Sequence, residues 1–247
     1  KKMLMDFLNH IVMNSTARNR NNFRLVLGTM LQTLEDNELI NFNFIKNIKT
    51  LHSTPKRNKT ITTEVEYNIF NYLKEKDPIL LLYIKFVAYN FLRPIEVSRL
   101  RIGDFNLKNN TITFQAKNSI LKKKTIPQIL LDELPDISEM DSNFLLFTPT
   151  KIGGLWSTTE TNRRNYFSKR FNKIVKQHFD LNEDYGLYSF RHTYITKLYR
   201  VLLKESSPFE AKSRLMLITG HKSMSALEKY LRDIDAELAK DYSDLLK

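Results

Sequence analysis

Two arginines, a lysine, a histidine and a tyrosine are the side chains of this 247-residue sequence that could act together on an anion. Arg93 follows an apolar run, in Phe91-Leu92-Arg93-Pro94-Ile95-Glu96-Val97. Lys117 lies between two alternating segments, Arg191 stands in Ser189-Phe190-Arg191-His192-Thr193, His221 follows Gly220, and Tyr230 comes nine residues after His221. A guanidinium grips a phosphate through its planar fork, and an ammonium can donate a proton. A tyrosine hydroxyl becomes a nucleophile when its surroundings help it lose a proton. Together the five would form an anion site beside a hydroxyl nucleophile. Singly, each has a plainer explanation. Glu96 is placed to pair with Arg93, a turn lysine is solvated and guards a sheet edge, a helical histidine packs in a core, and Tyr230 is one of 11 tyrosines.

A helix-rich chain must position them. Leu4–Met13 reads as a short helix, and Ser15 or Thr16 caps a longer one with Phe23, Leu27, Met30 and Leu34 on one stripe. Arg18, Arg20 and Arg24 fall in its first half, and a short basic helix is expected to end near Leu51. Ser53–Lys59 has no periodicity and reads as a basic linker. Thr63 and Glu66 form a capping-box pattern, and Asp77-Pro78 opens an almost wholly apolar helix through Phe91 that should be buried. Residues 111–116 and 124–130 alternate as two hairpin strands joined by the polar turn 117–123. Helices follow at 160–178, 189–204, from Pro208 behind Ser207, at 224–231 and at 234–246. On Glu160–Phe179, Tyr166, Phe167, Phe171 and Ile174 are expected inward, with Arg163, Arg164, Lys169 and Arg170 elsewhere. The expected fold class is mainly α with a small antiparallel β-sheet.

Composition narrows the partner. The 39 Lys and Arg against 27 Asp and Glu leave a formal charge of +12. Residues 1–60 hold ten basic and four acidic side chains, so half of the excess sits in the first quarter of the chain. Such a surface suits a polyanion, nucleic acid foremost and anionic membrane second. The longest apolar run, around Ile79–Leu92, is broken by Lys85 and Asn90 and is too short to span a bilayer. With no cysteine, disulfides, thiolate metal sites and a cysteine nucleophile are excluded. The start at Lys1-Lys2-Met3 leads us to expect a chain that begins part-way through a longer protein.

The order and spacing of the five residues resemble the tyrosine recombinases of the phage integrase family over nearly the whole chain. Phe91–Val97 resembles that family's first arginine box, Phe114–Asn118 its lysine hairpin, Ser189–Thr193 its second arginine box, and Gly220-His221 with Tyr230 its terminal histidine and nucleophile. The resemblance implies that Tyr230 attacks a DNA phosphate to leave a 3′-phosphotyrosine and a 5′-hydroxyl. Arg93, Arg191 and His221 would hold the non-bridging oxygens, and Lys117, with Lys122 as its rival, would protonate the leaving oxygen. It implies no metal and no other cofactor. Tyr188 stands where the family usually has His or Lys, so it joins the catalytic set with its role open. Residues lining the DNA would be Arg18, Arg20, Arg24, Lys56, Arg57, Lys59, Lys122, Arg163, Arg164, Lys169 and Arg170.

The same resemblance implies a partial helical core-binding domain (1–51), a basic linker (52–60) and a catalytic domain (61–247), clamping double-stranded DNA. The tail helix 234–246 would link protomers in a homotetramer on synapsed sites. An accessory DNA-bending or directionality protein, a bacterial cytoplasmic location and the traffic of a mobile element would follow. A catalytically silent DNA-binding regulator and a type IB topoisomerase are the alternatives.

Overall fold

Asp77 and Pro78 show how local chemistry builds the frame. The computed structural model describes residues 1–54, 58–116 and 121–231. The Asp77 carboxylate accepts the backbone N–H of Leu80 at 3.0 Å and Pro78 fills the first turn, so helix α4 (Pro78–Tyr89) starts there. Leu80 through Ala88 are all buried, as its continuous apolar run predicts. Even Lys85 is buried, its ammonium reaching Glu133 at 2.5 Å.

The chain forms two compact units, Lys1–Arg57 and Asn58–Lys247. In the first, helices α1 (Lys2–Asn14) and α2 (Ala17–Asp36) enclose Leu8, Leu31, Ile45 and Ile48. Thr16, not Ser15, caps α2, accepting the Asn19 N–H at 3.1 Å. The buried stripe runs through Leu27, Leu31 and Leu34, while Phe23 and Met30 are exposed. The basic helix expected before Leu51 is only one 3-10 turn, Phe44–Asn47. Its onward carbonyls are taken by α2: Arg20 donates to Lys49 O at 2.7 Å, Arg24 to Ile48 O, and Asn21 to Leu51 O at 2.7 Å.

In the second unit, α3 (Thr63–Lys76) precedes α4. Thr62 rather than Thr63 caps α3, and Glu66 turns inward to accept from Tyr194 Oη and Lys197 Nζ, so the expected capping box does not form. Beyond α4 the chain turns at Phe91, whose φ of 54° is left-handed, and enters the short α5 (Pro94–Val97). Burial of the Phe91 ring, with the Lys124 ammonium 5.5 Å from its centroid, holds this costly conformation.

Strands β1 (Phe105–Asn106), β2 (Thr111–Gln115) and β3 (Leu121–Thr125) form an antiparallel sheet in that order, with Ile112 opposite Lys124 and Phe114 opposite Lys122. The second strand is therefore Leu121–Thr125 rather than 124–130. Pro127 has no N–H for the ladder and starts the helical turn α6 (Gln128–Leu131) instead. A second pair, β4 (Leu145–Phe147) and β5 (Ile152–Gly154), lies beside α7 (Glu160–Phe171), which ends in a π turn. Helix α8 (Leu187–Leu202) packs on α4, and α9 (Pro208–Thr219) and α10 (Met224–Leu231) close a second core around Ile195, Tyr199, Leu215 and Leu227. Among the described residues no helix is long and apolar enough to cross a membrane. The fold class is as expected: mainly helical, with small antiparallel sheets.

Candidate active site

Each functional side chain is set by a local device at the end of an element. Arg93 is the residue before α5. Its backbone N–H donates to Glu96 Oε2 at 2.7 Å and its guanidinium to Glu96 Oε1 at 2.8 Å. Glu96 is buried, so this carboxylate fixes the arginine at both ends while leaving it partly exposed. Tyr188, Arg191 and His192 occupy positions i, i+3 and i+4 on the first turns of α8, which puts them on one face. Gly220, with φ of 75°, ends α9 in the left-handed conformation that a glycine adopts without strain, and His221 follows at once. Tyr230 lies on α10.

These elements converge on Tyr230. Its hydroxyl lies 2.8 Å from that of Tyr188. Its ring centroid is 4.6 Å from that of His192, 4.9 Å from that of His221 and 5.7 Å from the Arg191 guanidinium carbon. Arg191 is only 2% exposed, and its Nε is buried with no hydrogen-bond partner among the described residues. His221 Nε2 is in the same condition, while Nδ1 lies 2.6 Å from Thr219 Oγ1.

Two lysines of β3 point to the same region. Lys122 Nζ donates to Gly220 O at 2.6 Å and Lys124 Nζ to Asn90 O at 2.6 Å. They tie the hairpin to the residue before His221 and to the turn before Arg93. Lys117 lies outside the described residues, as do Lys56, Arg57 and the tail 234–246.

The electrostatics follow from crowding cations into a partly dry site. Burial first, then Arg191, Arg93, Lys124 and Lys122, drive the His221 imidazole down to about 3, so it is neutral near pH 7. Burial, reinforced by Arg191, pushes Lys124 down to about 7, and burial followed by Lys222 lowers Lys122. Burial pushes the Tyr188 phenol up to about 12 against the pull of Arg191, so it stays protonated and can donate a hydrogen bond. It is no base.

A cleft of about 470 Å³ adjoins the site, lined among others by Arg93, Arg99, Arg164, Thr161, Ser168 and Tyr188. Arg164 Nε is buried there without a hydrogen-bond partner among the described residues. Several other arginines and a lysine expected on DNA are engaged elsewhere. Arg163 turns inward, donating to Ser98 O at 3.1 Å and Thr158 O at 2.8 Å, while Tyr166, expected inward, is 37% exposed. Arg170 forms a two-pronged pair with buried Asp77. Arg20 and Arg24 staple the first unit, and Lys59 pairs with Asp184 at 3.0 Å. Arg18 and Lys169 remain exposed. Sequence reasoning missed Thr219 and Lys124. The first signals itself only by lying two residues before His221, the second only by strand register.

No protein-family model matches the sequence, and no curated protein matches it by sequence. Solved structures do match its shape. A lambda integrase dimer bound to a COC′ core site superposes with a TM-score of 0.70 at 14% identity, covering 97% of this chain and 66% of that one. The Tn1549 transposon integrase in complex with circular intermediate DNA gives 0.60 at 14% identity, over 98% and 81%. The XerH site-specific recombinase on a palindromic difH substrate, in a post-cleavage complex, gives 0.62 at 19% identity, over 93% and 68%. The chain has the tyrosine recombinase fold. At these identities the likeness is one of fold. This chain also spans slightly less than two thirds of the lambda integrase chain it matches.

Proposed function

We propose that the protein is a site-specific DNA recombinase or integrase that cuts and rejoins DNA through a covalent bond to Tyr230. The observation that carries this reading is the convergence of Arg191 and His221 on one tyrosine, within electrostatic reach of Arg93, with Arg191 Nε and His221 Nε2 buried and without a partner among the described residues. A buried donor without a partner costs free energy, and a phosphodiester oxygen is an acceptor that would meet the guanidinium's need.

Tyr230 Oη attacks phosphorus, the phenolic proton passes to water, and the P–O5′ bond breaks as a lysine protonates the departing oxygen. Arg93 and Arg191 neutralise the charge that builds on the non-bridging oxygens. Tyr188 donates to Tyr230 Oη and so steadies the developing phenolate. Lys117 and Lys122 are the candidates for the acid. Lys122 is held to Gly220 O beside His221, and its lowered pKa makes it a readier donor than an ordinary lysine. The cleft at Arg99 and Arg164 accommodates the strand next to the reacting phosphate. Exposed basic residues such as Arg18 and Lys169 add grip on the backbone, and four protomers act together on paired sites. The Tn1549 transposon integrase among the neighbours favours the traffic of a mobile element.

The test is trapping. Nicked suicide duplexes that bind in a salt-sensitive manner should yield an SDS-stable adduct with the wild type and none with Tyr230→Phe. An adduct that persists in Tyr230→Phe, or binding that never yields one, would overturn the proposal. The latter result would point to a silent regulator. Relaxation of plasmids without any target site would point to a topoisomerase.

A further inference from the structure

His221 is held by a short chain of hydrogen bonds whose direction can be read. Thr219 Oγ1 lies 2.7 Å from the carbonyl oxygen of Leu215, one turn earlier in α9. A carbonyl only accepts, so the single hydroxyl proton of Thr219 points to Leu215. The second contact of that oxygen, 2.6 Å from His221 Nδ1, must then have the imidazole as donor. The proton of a neutral His221 therefore sits on Nδ1. Nε2, on the far edge of the ring, carries a bare lone pair and is buried without a hydrogen-bond partner among the described residues.

That state does not suit a phosphate. A bare Nε2 and a non-bridging oxygen are both acceptors and repel. The groups facing His221 are Arg191 from α8, Arg93 from the head of α5, Lys122 and Lys124 from β3, and the Tyr230 ring from α10. The charged ones are all cations, and the carboxylate of Glu96 is already engaged with Arg93. They hold the imidazole neutral in the free protein, and an entering phosphodiester would offset that repulsion.

We propose that Thr219 fixes His221 as the Nδ1–H tautomer, so that His221 takes one proton from solvent onto Nε2 when the target phosphate enters and only then becomes a hydrogen-bond donor to it. Thr219 is thus a positioning residue, and engagement of the phosphate is linked to proton uptake. The bond made is Nε2–H, the proton comes from the buffer, and Nδ1 keeps its own proton on Thr219. The uptake half of this inference rests on the DNA-cleaving function proposed above; the tautomer half does not.

The tautomer is read without DNA, by long-range nitrogen–proton NMR of the imidazoles in the full chain, with His221→Gln assigning the signal. At pH 7 His221 should show a protonated Nδ1 and a bare Nε2. Thr219→Val should shift the tautomer ratio toward Nε2–H by roughly fivefold, the equivalent of one neutral hydrogen bond. Thr219→Ser should restore it. A wild-type His221 that is Nε2–H or doubly protonated would overturn the inference even if the valine variant failed to fold.

Uptake is read by calorimetry in buffers of different ionisation heat, with Tyr230→Phe protein and the duplex that traps the wild type. Near pH 7.5 protons should be taken up on binding, and the uptake should fall by about one per complex when His221→Gln is added, what remains belonging to Lys124. No uptake, or the same uptake without His221, would overturn it. Failure of the recombinase reading shows separately, as a missing adduct with an unchanged tautomer signal.

Discussion

Replacing Asp77 tests how the site's frame is held. Its carboxylate is 2% exposed and performs two tasks. Oδ1 caps α4 by accepting the Leu80 N–H at 3.0 Å, and the two oxygens receive Arg170 Nε at 2.5 Å and Nη2 at 2.7 Å. Asp77→Ala loses a cap worth about 1 kcal/mol and leaves the Arg170 guanidinium short of a partner. Breaking a fully buried pair costs about 3–5 kcal/mol, but Arg170 is 18% exposed and keeps Pro149 O at 2.5 Å, so water and that carbonyl recover part of the loss. We expect about 3 kcal/mol in all. Asp77→Asn keeps an acceptor for the cap and for one guanidinium N–H, and should cost about 1.5 kcal/mol. For a unit of this size, 3 kcal/mol corresponds to a Tm lowered by about 6–12 °C.

Urea unfolding of both variants, of Arg170→Ala and of the double variant completes the cycle. The two positions should couple by more than 1 kcal/mol. Purely additive losses, or an Asp77→Asn protein as stable as the wild type, would refute the reasoning. The outcome bears on function because α4 runs directly into the turn that delivers Arg93.

Three further outcomes are expected. Lys124 has a folded pKa of about 7 against 10.5 unfolded, so between those values only the unfolded chain binds its proton; the stability of the wild type relative to Lys124→Met should rise from pH 7 to 10.5 and stay flat below pH 7, and a flat difference throughout would contradict the burial argument. Tyr188→Phe removes the hydroxyl 2.8 Å from that of Tyr230 and should slow adduct formation about five- to tenfold with DNA affinity unchanged, measured in single-turnover trapping; an unaltered rate would remove Tyr188 from the site. Arg18→Ala should reduce the salt slope of DNA binding by about 1 without loss of stability, whereas Arg20→Ala should cost the first unit roughly 1–3 kcal/mol in a denaturant titration; the reverse pattern would sink the division of roles between them.

The sequence was most informative where the chemistry is local. Asp77-Pro78, Ser207-Pro208 and the run from Leu80 to Ala88 carry their own helix signals, and each helix starts where they say, although α4 ends at Tyr89 and not at the expected Phe91, which turns left-handed. It was least informative where a tertiary partner decides. Arg163 looks like a surface cation until Ser98 and Thr158 present carbonyls to it, and Glu66 looks like a cap until Tyr194 and Lys197 compete for it. The hairpin register could not be read from Leu121-Lys122-Lys123-Lys124-Thr125, because a run of lysines has no apolar alternation. What fixes it is opposite each lysine: Phe114 faces Lys122 and Ile112 faces Lys124, so alternate ammonium groups are carried to the same side as the core.

That register explains why cations gather where a folded protein would ordinarily avoid them. A site that only needed to be stable would pair Arg191 with a carboxylate and face Lys122 and Lys124 to water. Instead the carboxylate of the region, Glu96, is committed to Arg93, Arg191 keeps an unmet Nε, and the two lysines rest on the single carbonyls of Gly220 and Asn90. The tension shows as an imidazole held neutral and an ammonium pulled down to about 7. On the function proposed above, a compact anion with several acceptor oxygens placed against Tyr230 would relieve this tension. A phosphodiester on an extended strand offers two free oxygens to the arginines and a bridging oxygen to a lysine. On that same function, the stability given up around Arg191, His221, Lys122 and Lys124 would be recovered when such a phosphate binds.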